Sequence, residues 1–261
     1  MSFLTLENIH HVYFTPSQVT IALEDISMQI KEGEFVSFLG PSGCGKTTLL
    51  SIIAGLLKPT EGRTMLAGDP HYTDKKQDIG YMLQQDYLFP WKTIRENILL
   101  GLNIQNKLNA QLEIRCLKLL NEIGLSNTAN MLPNQLSGGM RQRVALVRTL
   151  ATEPKILLLD EPFSALDYVT KLKLEDLVFK TLKSFHKTAV LVTHDIGEAI
   201  AMSDRIYLFS ANPGKIHRQF HLPDELKALP PFQARNHSAF SSTFQEIWKE
   251  FETLEELSVK G

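Results

Sequence analysis

The sequence predicts an α/β fold in which a mainly parallel sheet lies between helices. Continuous apolar runs at residues 35–39, 156–159 and 189–192 are typical of parallel strands that are buried on both faces. Alternating apolar and polar residues near the N-terminus add an antiparallel β part. A long stretch of helical periodicity between residues 94 and 150 predicts an α-helical subdomain inserted into this core.

The N-terminal part is predicted to form two half-buried strands, at residues 3–12 and 20–30, joined by a turn around Pro16. A third strand, at residues 35–39, is followed by a glycine-rich turn and an apolar helix pattern. The turn consists of Gly40, Pro41, Ser42, Gly43, Cys44, Gly45, Lys46, Thr47 and Thr48. Its order matches G-x-x-x-x-G-K-[ST], so the sequence predicts a phosphate-binding loop.

The residue types of this loop suit an anionic ligand. Glycines allow backbone N–H groups to turn toward one centre without Cβ clashes. The helix that starts near Lys46 presents unpaired N–H groups and a positive dipole end. Lys46 supplies a point charge for β- and γ-phosphates, and the Thr47 hydroxyl is a ligand for Mg²⁺.

Two short strand-like pieces, at residues 63–67 and 79–83, precede a loop at residues 84–91 that carries large aromatic side chains. Phe89 and Trp91 in this loop are either local core or anchors for a protein partner, where aromatic residues are enriched. The loop is expected to be partly exposed, and both alternatives remain open at this point.

The helical stretch is predicted to contain one helix that ends at Gly124 and another over residues 137–150. Ser137 is the expected N-cap of the second helix, because its hydroxyl can accept a bond from the first turn. The amides of Gly138 and Gly139 then lie at the positive end of that helix, where anions bind.

The later apolar runs end in polar residues that are candidates for a site: Asp160 and Glu161 after the first, and His194 after the second. Ligands bind at the carboxyl edge of open parallel sheets, so these side chains are expected near a ligand. A helix at residues 169–185 connects the two runs, and a strand at residues 205–210 is predicted to close the core.

Beyond Gly214 the sequence no longer shows the apolar runs of the core strands. Proline-containing stretches between residues 222 and 231 predict an irregular linker before an amphipathic helix. The apolar face of that helix is formed by Phe240, Phe244, Ile247, Trp248, Phe251 and Leu254. This face either docks on its own domain or contacts a second subunit. We expect a main domain at residues 1–220, with the helical subdomain at about 90–150, and a C-terminal linker and helix at 221–261.

The composition argues against several classes of protein. Lys and Arg total 27 against 29 Asp and Glu, a net charge of −2, and no basic run is typical of a nucleic-acid-binding arm. The two cysteines, Cys44 and Cys116, favour reduced thiols over a disulfide. The N-terminus lacks signal-peptide features, and no apolar stretch reaches the roughly 20 residues that span a bilayer. The Lys75-Lys76 pair is expected to be solvated surface.

Six motifs in a fixed order resemble the ATP-binding cassette ATPases, the nucleotide-binding subunits of ABC transporters, over about residues 1–215. They are residues 40–47 (Walker A), Gln84 (Q-loop), Leu136-Ser137-Gly138-Gly139-Met140 (the family signature), residues 156–161 (Walker B), Ser164-Ala165-Leu166-Asp167 (D-loop) and His194 (switch histidine). Met140 departs from the Gln that is common in the family, but it lies outside the Ser-Gly-Gly that touches phosphate. The resemblance implies a P-loop NTPase core and ATP hydrolysis.

The resemblance also implies roles at the nucleotide. Residues 40–48 hold ATP, and Tyr13 stacks on its adenine. The implied ligands of Mg²⁺ and its waters are Thr47, Gln84 and Asp160. Hydroxyl, amide and carboxylate are the hard oxygen donors that this ion prefers. Glu161 is the implied general base for the attacking water, and His194 bonds the γ-phosphate.

Cassettes of this family pair head to tail, which implies a homodimer that closes on two ATP molecules. Contacts to the partner's nucleotide then come from Ser137, Gly138, Gly139 and Asp167. Phe89 and Trp91 are implied to contact the coupling helix of a transmembrane permease. The implied assembly has two permease subunits and an extracytoplasmic substrate-binding protein, with this chain at the cytoplasmic face of the cell membrane.

Residues 84–97 are similar to the importer branch for nitrate, taurine, aliphatic sulfonates and thiamine-pyrimidine precursors. The alternative is a soluble cassette that acts in DNA repair or translation, a class that usually has paired cassettes or a long coiled-coil insertion. A P-loop kinase would not need the signature. Glu161 and His194 argue against a regulator that binds ATP without turnover.

Cys44 adds a separate hypothesis. It lies in an electropositive loop at a helix N-terminus, where thiolates are favoured. We expect alkylation of Cys44 to inactivate the protein and ATP to protect it, with Cys116 as the internal control. The alternative is that Cys44 is an inert small residue that fills the loop.

Overall fold

The computed structural model describes residues 2–70, 78–184 and 186–259. The Lys75-Lys76 pair and the predicted helix end at Phe185 lie outside the described residues. The chain divides into two compact units. The first comprises Met1–Lys76 and Glu175–Gly261, and the second comprises Gln77–Leu174.

The described strands are β1 (Ser2–Thr15), β2 (Gln18–Lys31), β3 (Phe35–Leu39), β4 (Glu61–Leu66), β5 (Ile79–Met82), β6 (Ile156–Asp160), β7 (Thr188–Thr193), β8 (Arg205–Ser210) and β9 (Lys215–His221). The described α-helices are α1 (Lys46–Ile53), α2 (Ile94–Ile104), α3 (Ala110–Glu122), α4 (Gly138–Ala151), α5 (Tyr168–Ser184), α6 (Ile196–Met202), α7 (Asp224–Lys227), α8 (Pro231–Ala234) and α9 (Ser238–Val259).

An antiparallel sheet of the order β2-β1-β4 contains the N-terminal hairpin of the first unit. Thr15 pairs with Gln18, so Pro16 and Ser17 form the turn between the strands. Buried and exposed residues alternate along much of both strands, because one face packs on the core and the other faces solvent. The predicted half-buried hairpin is confirmed.

Four neighbouring strands of the first unit have the order β7-β3-β8-β9. The first three are parallel, and every residue of β3 and β7 is buried, as their apolar runs predict. β9 runs antiparallel to β8 at the edge. The predicted strand at residues 205–210 is confirmed as β8, but β9 and not β8 forms the edge of the sheet. β9 buries only Phe220 fully and exposes most of its other residues, so it has no apolar run.

In the second unit β5 and β6 pair in parallel, with Met82 opposite Leu159. The predicted helical stretch is confirmed and contains α2, α3 and α4, with 3-10 turns at Ser126–Thr128 and Pro133–Gln135. Gly124 follows α3 with a φ of +75°, the left-handed conformation in which glycine commonly ends a helix. The side chains that cap these helices are Thr93, Asn109 and Ser137.

The C-terminal helix packs onto the first unit. Ile247, Phe251 and Leu254 of α9 are buried in one hydrophobic cluster with Ala199 and Ile200 of α6. Docking of this face on its own domain is therefore confirmed. Among the described helices, none is both long and apolar enough to cross a lipid bilayer.

The prediction of an irregular linker before this helix is wrong. Residues in that stretch form α7 and α8, which bury Leu226 and Ala234 in the same cluster. Arg235 directly follows α8, and its Nη2 donates a hydrogen bond to Oε1 of the buried Glu175 at 3.0 Å. The prolines that suggested a linker instead start the two short helices, where a missing N–H costs nothing.

Candidate functional site

The phosphate loop lies between β3 and α1 in the first unit. Gly43 and Gly45 have φ values of +79° and +87°, which residues with a Cβ rarely adopt. A Cβ at position 45 would also lie 2.6 Å from Leu23 Cδ2 and 2.8 Å from Ala22 O. The hairpin of the first sheet therefore packs so closely on the loop that position 45 requires glycine.

Lys46 is buried at the start of α1, and the loop itself holds its ammonium group. Nζ donates to Gly40 O and to Pro41 O, each at 2.8 Å, and lies 3.3 Å from Cys44 Sγ. A buried charge needs polar partners, and these carbonyls fix it inside the curve of the loop. The arrangement can present a positive charge to the oxygens of a phosphate.

The N-terminus of α1 differs from the N-termini of α2, α3, α4 and α6. Gly45 is its N-cap, and among the described residues no side chain caps this end and no acidic residue lies in its first turn. α2, α3, α4 and α6 are capped by Thr93, Asn109, Ser137 and Asp195. A helix that begins at a glycine N-cap, with no acidic residue in its first turn, can bind an anion at its N-terminus, so α1 suits phosphate.

The burial of Cys44 contradicts the thiolate-favouring setting on which the hypothesis of a reactive thiol rests, and its alkylation stays a prediction. The side chain is fully buried, and this burial raises the pKa of the Cys44 thiol although the Lys46 ammonium acts in the opposite direction. Burial likewise raises the pKa of Cys116. Both cysteines are free, as expected, and Cys44 acts as the small residue that fills the loop.

Tyr13 presents an exposed ring on β1, beside the start of α1. Its hydroxyl lies 3.2 Å from Thr48 Oγ1. The ring of His11, two residues earlier on the same strand face, meets it edge to face at a centroid distance of 4.7 Å. His11 is buried, and burial lowers the pKa of its imidazole, which favours the neutral form. Sequence analysis overlooked His11, although the spacing of two along a strand predicts this contact.

His194 is exposed directly after β7. Leu39 pairs with Thr193 in the parallel register, so the phosphate loop and His194 both begin after paired positions on neighbouring strands. Asp195 N donates to Thr193 Oγ1 at 3.0 Å, which fixes the turn that carries the histidine. The first unit therefore brings His194 and the phosphate loop to the same edge of the sheet.

The second unit brings the Q-loop and Walker B residues together. Gln84 follows β5 and Glu161 follows β6, and Gln84 Nε2 donates to Glu161 Oε2 at 3.3 Å. Asp160 ends β6 and is buried. Glu161 has a φ of +47°, uncommon for a residue with a side chain, and such conformations cluster at functional sites. Ser164 supports this turn, because its hydroxyl donates to Glu161 O at 3.0 Å.

The signature forms the exposed N-terminus of α4. Ser137 Oγ accepts a bond from Met140 N at 3.3 Å, which confirms the predicted N-cap. A Cβ at Gly139 would lie 3.2 Å from Leu166 Cδ2, so the helix start packs closely on the D-loop. Asp167 Oδ1 accepts from Thr170 N at 3.0 Å, and bonds with Thr170 lower the pKa of this carboxyl group.

The loop at residues 84–91 presents three aromatic rings to solvent, those of Tyr87, Phe89 and Trp91. Phe89 is 37% exposed and Trp91 is 71% exposed, so the local-core alternative is wrong. The buried Asn97 fixes the backbone beneath them: its Oδ1 accepts from Phe89 N at 2.8 Å, and its Nδ2 donates to Phe89 O at 3.2 Å. Rigidly held, exposed aromatic side chains suit an anchor for a protein partner.

The residues expected at a nucleotide are distributed over both units. The first unit holds the phosphate loop, Tyr13 and His194, and the second holds Gln84, Asp160, Glu161 and the signature. In each unit, polar groups follow the carboxyl ends of parallel strands, where open α/β sheets bind ligands. The hydroxyl, amide and carboxylate donors expected for Mg²⁺ are oxygen ligands of the type it prefers.

Comparisons with known proteins agree with this set of motifs. A family model described as ABC transporter matches residues 23–164. The chain is 59% identical over 256 residues to the uncharacterized ABC transporter ATP-binding protein YtlC of Bacillus subtilis (strain 168), with 98% of each chain covered. It is 41% identical over 224 residues to the taurine import ATP-binding protein TauB of Pelagibacter ubique (strain HTCC1062), with 85% of this chain and 84% of TauB covered. The dimeric post-hydrolysis structure of the ATP-binding cassette MJ0796 with ADP and Pi is similar at a TM-score of 0.75 and 38% identity, covering 84% of this chain and 99% of that one.

Proposed function

Because the chain belongs to the ABC transporter family as an ATP-binding subunit, we propose that it powers the import of a small solute of the nitrate, sulfonate, taurine or thiamine-precursor type. It is an ATP-hydrolysing, energy-coupling subunit of an importer. The solute class is inferred from the similarity of residues 84–97 to that branch and from the taurine import relative. A soluble cassette for DNA repair or translation is not favoured, because named relatives are import subunits.

The observation that carries the nucleotide assignment is the N-terminus of α1. It combines a buried lysine, two glycines in the left-handed region and a helix that begins at a glycine N-cap with no acidic residue in its first turn. These features suit the β- and γ-phosphates of ATP bound by residues 40–48. Tyr13 then offers its exposed ring to the adenine.

We assign the hydrolytic step to Glu161, Gln84 and His194 on the strength of family membership. Glu161 accepts a proton from the attacking water, and Gln84 orients that water and the ion. His194 donates a hydrogen bond to the γ-phosphate. When bound, Mg²⁺ neutralises charge on the phosphates, and its proposed ligands are Thr47, Gln84 and Asp160.

The exposed signature supports the proposal that two copies of this chain act head to tail. Ser137 and Gly138 are exposed and carry no lysine beside them, so they suit a phosphate whose charge is held by Lys46 of another copy. Asp167 is proposed to lie at the same seam. Phe89 and Trp91 are proposed to dock on one of two permease subunits at the cytoplasmic face of the membrane. An extracytoplasmic substrate-binding protein then delivers the solute to the permease.

The variant Glu161→Gln tests the proposed base. It should bind ATP normally but hydrolyse it roughly 10²–10⁴-fold more slowly, the usual contribution of general acid–base catalysis. It should also form a dimer with ATP and magnesium, measured by light scattering. Glu122→Gln, at an exposed helix end, is the matched control and should behave as wild type. Normal hydrolysis by Glu161→Gln would contradict the base assignment.

The same variant tests the importer assignment. Affinity purification of tagged Glu161→Gln from native membranes with ATP and magnesium should recover a membrane-spanning permease, identified by mass spectrometry. The Phe89→Ala and Trp91→Ala double variant should lose this partner and keep its ATPase activity. Recovery of ribosomal or DNA-repair proteins in place of a permease would favour the alternative function.

A further inference from the structure

An arginine of α4 joins the signature to the loop that carries the exposed aromatic rings. Residues 84–91 are called the aromatic loop here, and residues 136–139 the signature turn. We propose that Arg141 and Asp86 are positioning residues, whose ion pair transmits movement between the aromatic loop and the signature turn. The inference rests on the proposed function, in which a permease holds the loop and a partner's nucleotide holds the turn.

The guanidinium group of Arg141 binds both segments at once. Its Nε donates to Asp86 Oδ2 at 2.9 Å, and its Nη1 donates to Leu136 O at 2.9 Å. Leu136 directly precedes the N-cap Ser137. A planar guanidinium group with fixed donor directions can hold two acceptors in a defined geometry, whereas an ammonium group on a flexible stem cannot.

Asp86 continues the connection into the aromatic loop. While Oδ2 binds Arg141, Oδ1 accepts a hydrogen bond from Leu88 N at 3.1 Å. Leu88 is buried and directly precedes Phe89, so the carboxylate fixes the backbone from which the ring of Phe89 projects. The two oxygens of one side chain therefore connect the turn under the rings to the signature helix.

A second group of contacts attaches the aromatic loop to α4, so we expect the loop and the helix to move together. Arg148 Nη2 donates to Asp86 O at 2.7 Å and its Nη1 donates to Tyr87 O at 2.8 Å. Arg148 lies seven residues after Arg141, two helical turns along the same face. Tyr87 has a φ of +42°, so the loop has an unusual backbone conformation at the point where α4 binds it.

The Arg141–Asp86 ion pair connects two exposed segments and does not only stabilise one loop, because its two residues lie next to different segments. One end is next to the exposed hydroxyl of Ser137, and the other is next to the exposed ring of Phe89. Arg95 and Glu113 form a comparable ion pair in the same unit, but it joins α2 to α3 and contacts neither segment. It provides the matched control.

Trp91 allows a direct test. The chain has two tryptophans, so Trp248→Phe leaves Trp91 as the single fluorescent reporter of the aromatic loop. In the Glu161→Gln background, ATP and magnesium should produce a dimer by light scattering and change the iodide quenching of Trp91. Asp86→Asn, Arg141→Gln and Arg141→Lys should still dimerise but lose this ATP-dependent change. Arg141→Lys separates the fork geometry from the charge, since lysine keeps only the charge.

The double variant Asp86→Asn/Arg141→Gln should be no worse than either single variant, because residues that act through each other are non-additive. Arg95→Gln should retain the full response. Persistence of the response in Asp86→Asn and Arg141→Gln, or its absence from the dimeric parent, would overturn the inference. A parent that never dimerises overturns the proposed function and the inference with it. Should Arg141→Gln not fold, Arg141→Lys decides the question alone.

Discussion

Two glycine-rich helix starts, at α1 and at α4, are both assigned to the phosphates of ATP, yet they are built differently. α1 begins with the buried Lys46, and among the described residues no side chain caps it. α4 begins with Ser137 as its own cap, and Ser137 and Gly138 are exposed. One start thus contains a positive charge inside a closed loop, and the other offers backbone amides and a hydroxyl on the surface.

The difference supports the proposal that two copies of this chain act together. A helix N-terminus with an adjacent lysine can hold the charge of a triphosphate by itself. At the capped, exposed start of α4 the nearby cation, Arg141, is paired with Asp86, so this helix start gains most when another group already holds the phosphate. We therefore propose that the start of α1 binds the nucleotide, and that the start of α4 recognises a nucleotide that a partner has bound.

The largest expected effect comes from breaking the start of α4. Gly138→Ala should lower ATP hydrolysis by roughly 10²–10³-fold, the usual loss when transition-state donors are displaced. A Cβ at this position meets only Arg141 Nη2, at 3.9 Å, so the fold accepts the substitution. Nucleotide binding to the monomer should be unchanged, because the added methyl group blocks only the approach of a partner. Steady-state hydrolysis and equilibrium binding of a fluorescent ATP analogue measure the two quantities.

Met140→Gln is the matched control for Gly138→Ala. It changes the same helical turn without filling the surface in front of the amides, and hydrolysis should stay close to that of the wild type. A Gly138→Ala protein that hydrolyses ATP normally would show that the start of α4 has no contact with phosphate. The distinction between the two helix starts would then be unfounded.

A smaller effect, on affinity, is expected from breaking the start of α1. Lys46→Ala should weaken nucleotide binding roughly 10–150-fold, which corresponds to losing a charged hydrogen bond worth about 1.5–3 kcal/mol. Lys107→Ala removes an exposed charge from a loop and should leave affinity unchanged. An unchanged affinity of Lys46→Ala would contradict its role. Isothermal titration with ATP and magnesium gives these values.

Mixing the two impaired variants, Lys46→Ala and Gly138→Ala, sharpens the comparison. In a head-to-tail dimer, Lys46→Ala still supplies an intact signature and Gly138→Ala still supplies an intact phosphate loop. A mixed dimer therefore has one complete site, and the mixture should recover part of the activity that each variant lacks alone. If each chain used its own signature, mixing would recover nothing.

Local patterns were sufficient to predict much of this arrangement. The phosphate loop, the N-cap Ser137 and the buried strand before Asp160 depend on short stretches in which neighbouring residues determine the backbone. The strand β9 was missed because an edge strand exposes most of its side chains and has no apolar run. Hydrophobic patterning indicates which residues are buried, so it gives little signal for a strand whose side chains remain exposed at the surface.

Long-range contacts could not be predicted in the same way. Arg141 and Asp86 are 55 residues apart, and no local pattern indicates that they meet. The error at Cys44 has a related cause. The sequence shows the neighbouring Lys46, which favours a thiolate, but it does not show the packing that buries the sulfur and raises the pKa of the thiol. At this position desolvation outweighs the nearby charge.

Thiol labelling gives the smallest expected effect and tests the difference in burial between the two helix starts. Cys44 and Cys116 are buried, and the raised pKa of each thiol lowers its thiolate fraction at pH 8, so the folded protein should react slowly with an alkylating reagent. An introduced Ser137→Cys should react much faster, because position 137 is exposed, and the ATP-bound dimer should protect it. Mass spectrometry of digested protein reports each site. Rapid labelling of Cys44 in the folded protein would show that the start of α1 is open, and the contrast between a closed and an exposed helix start would fail.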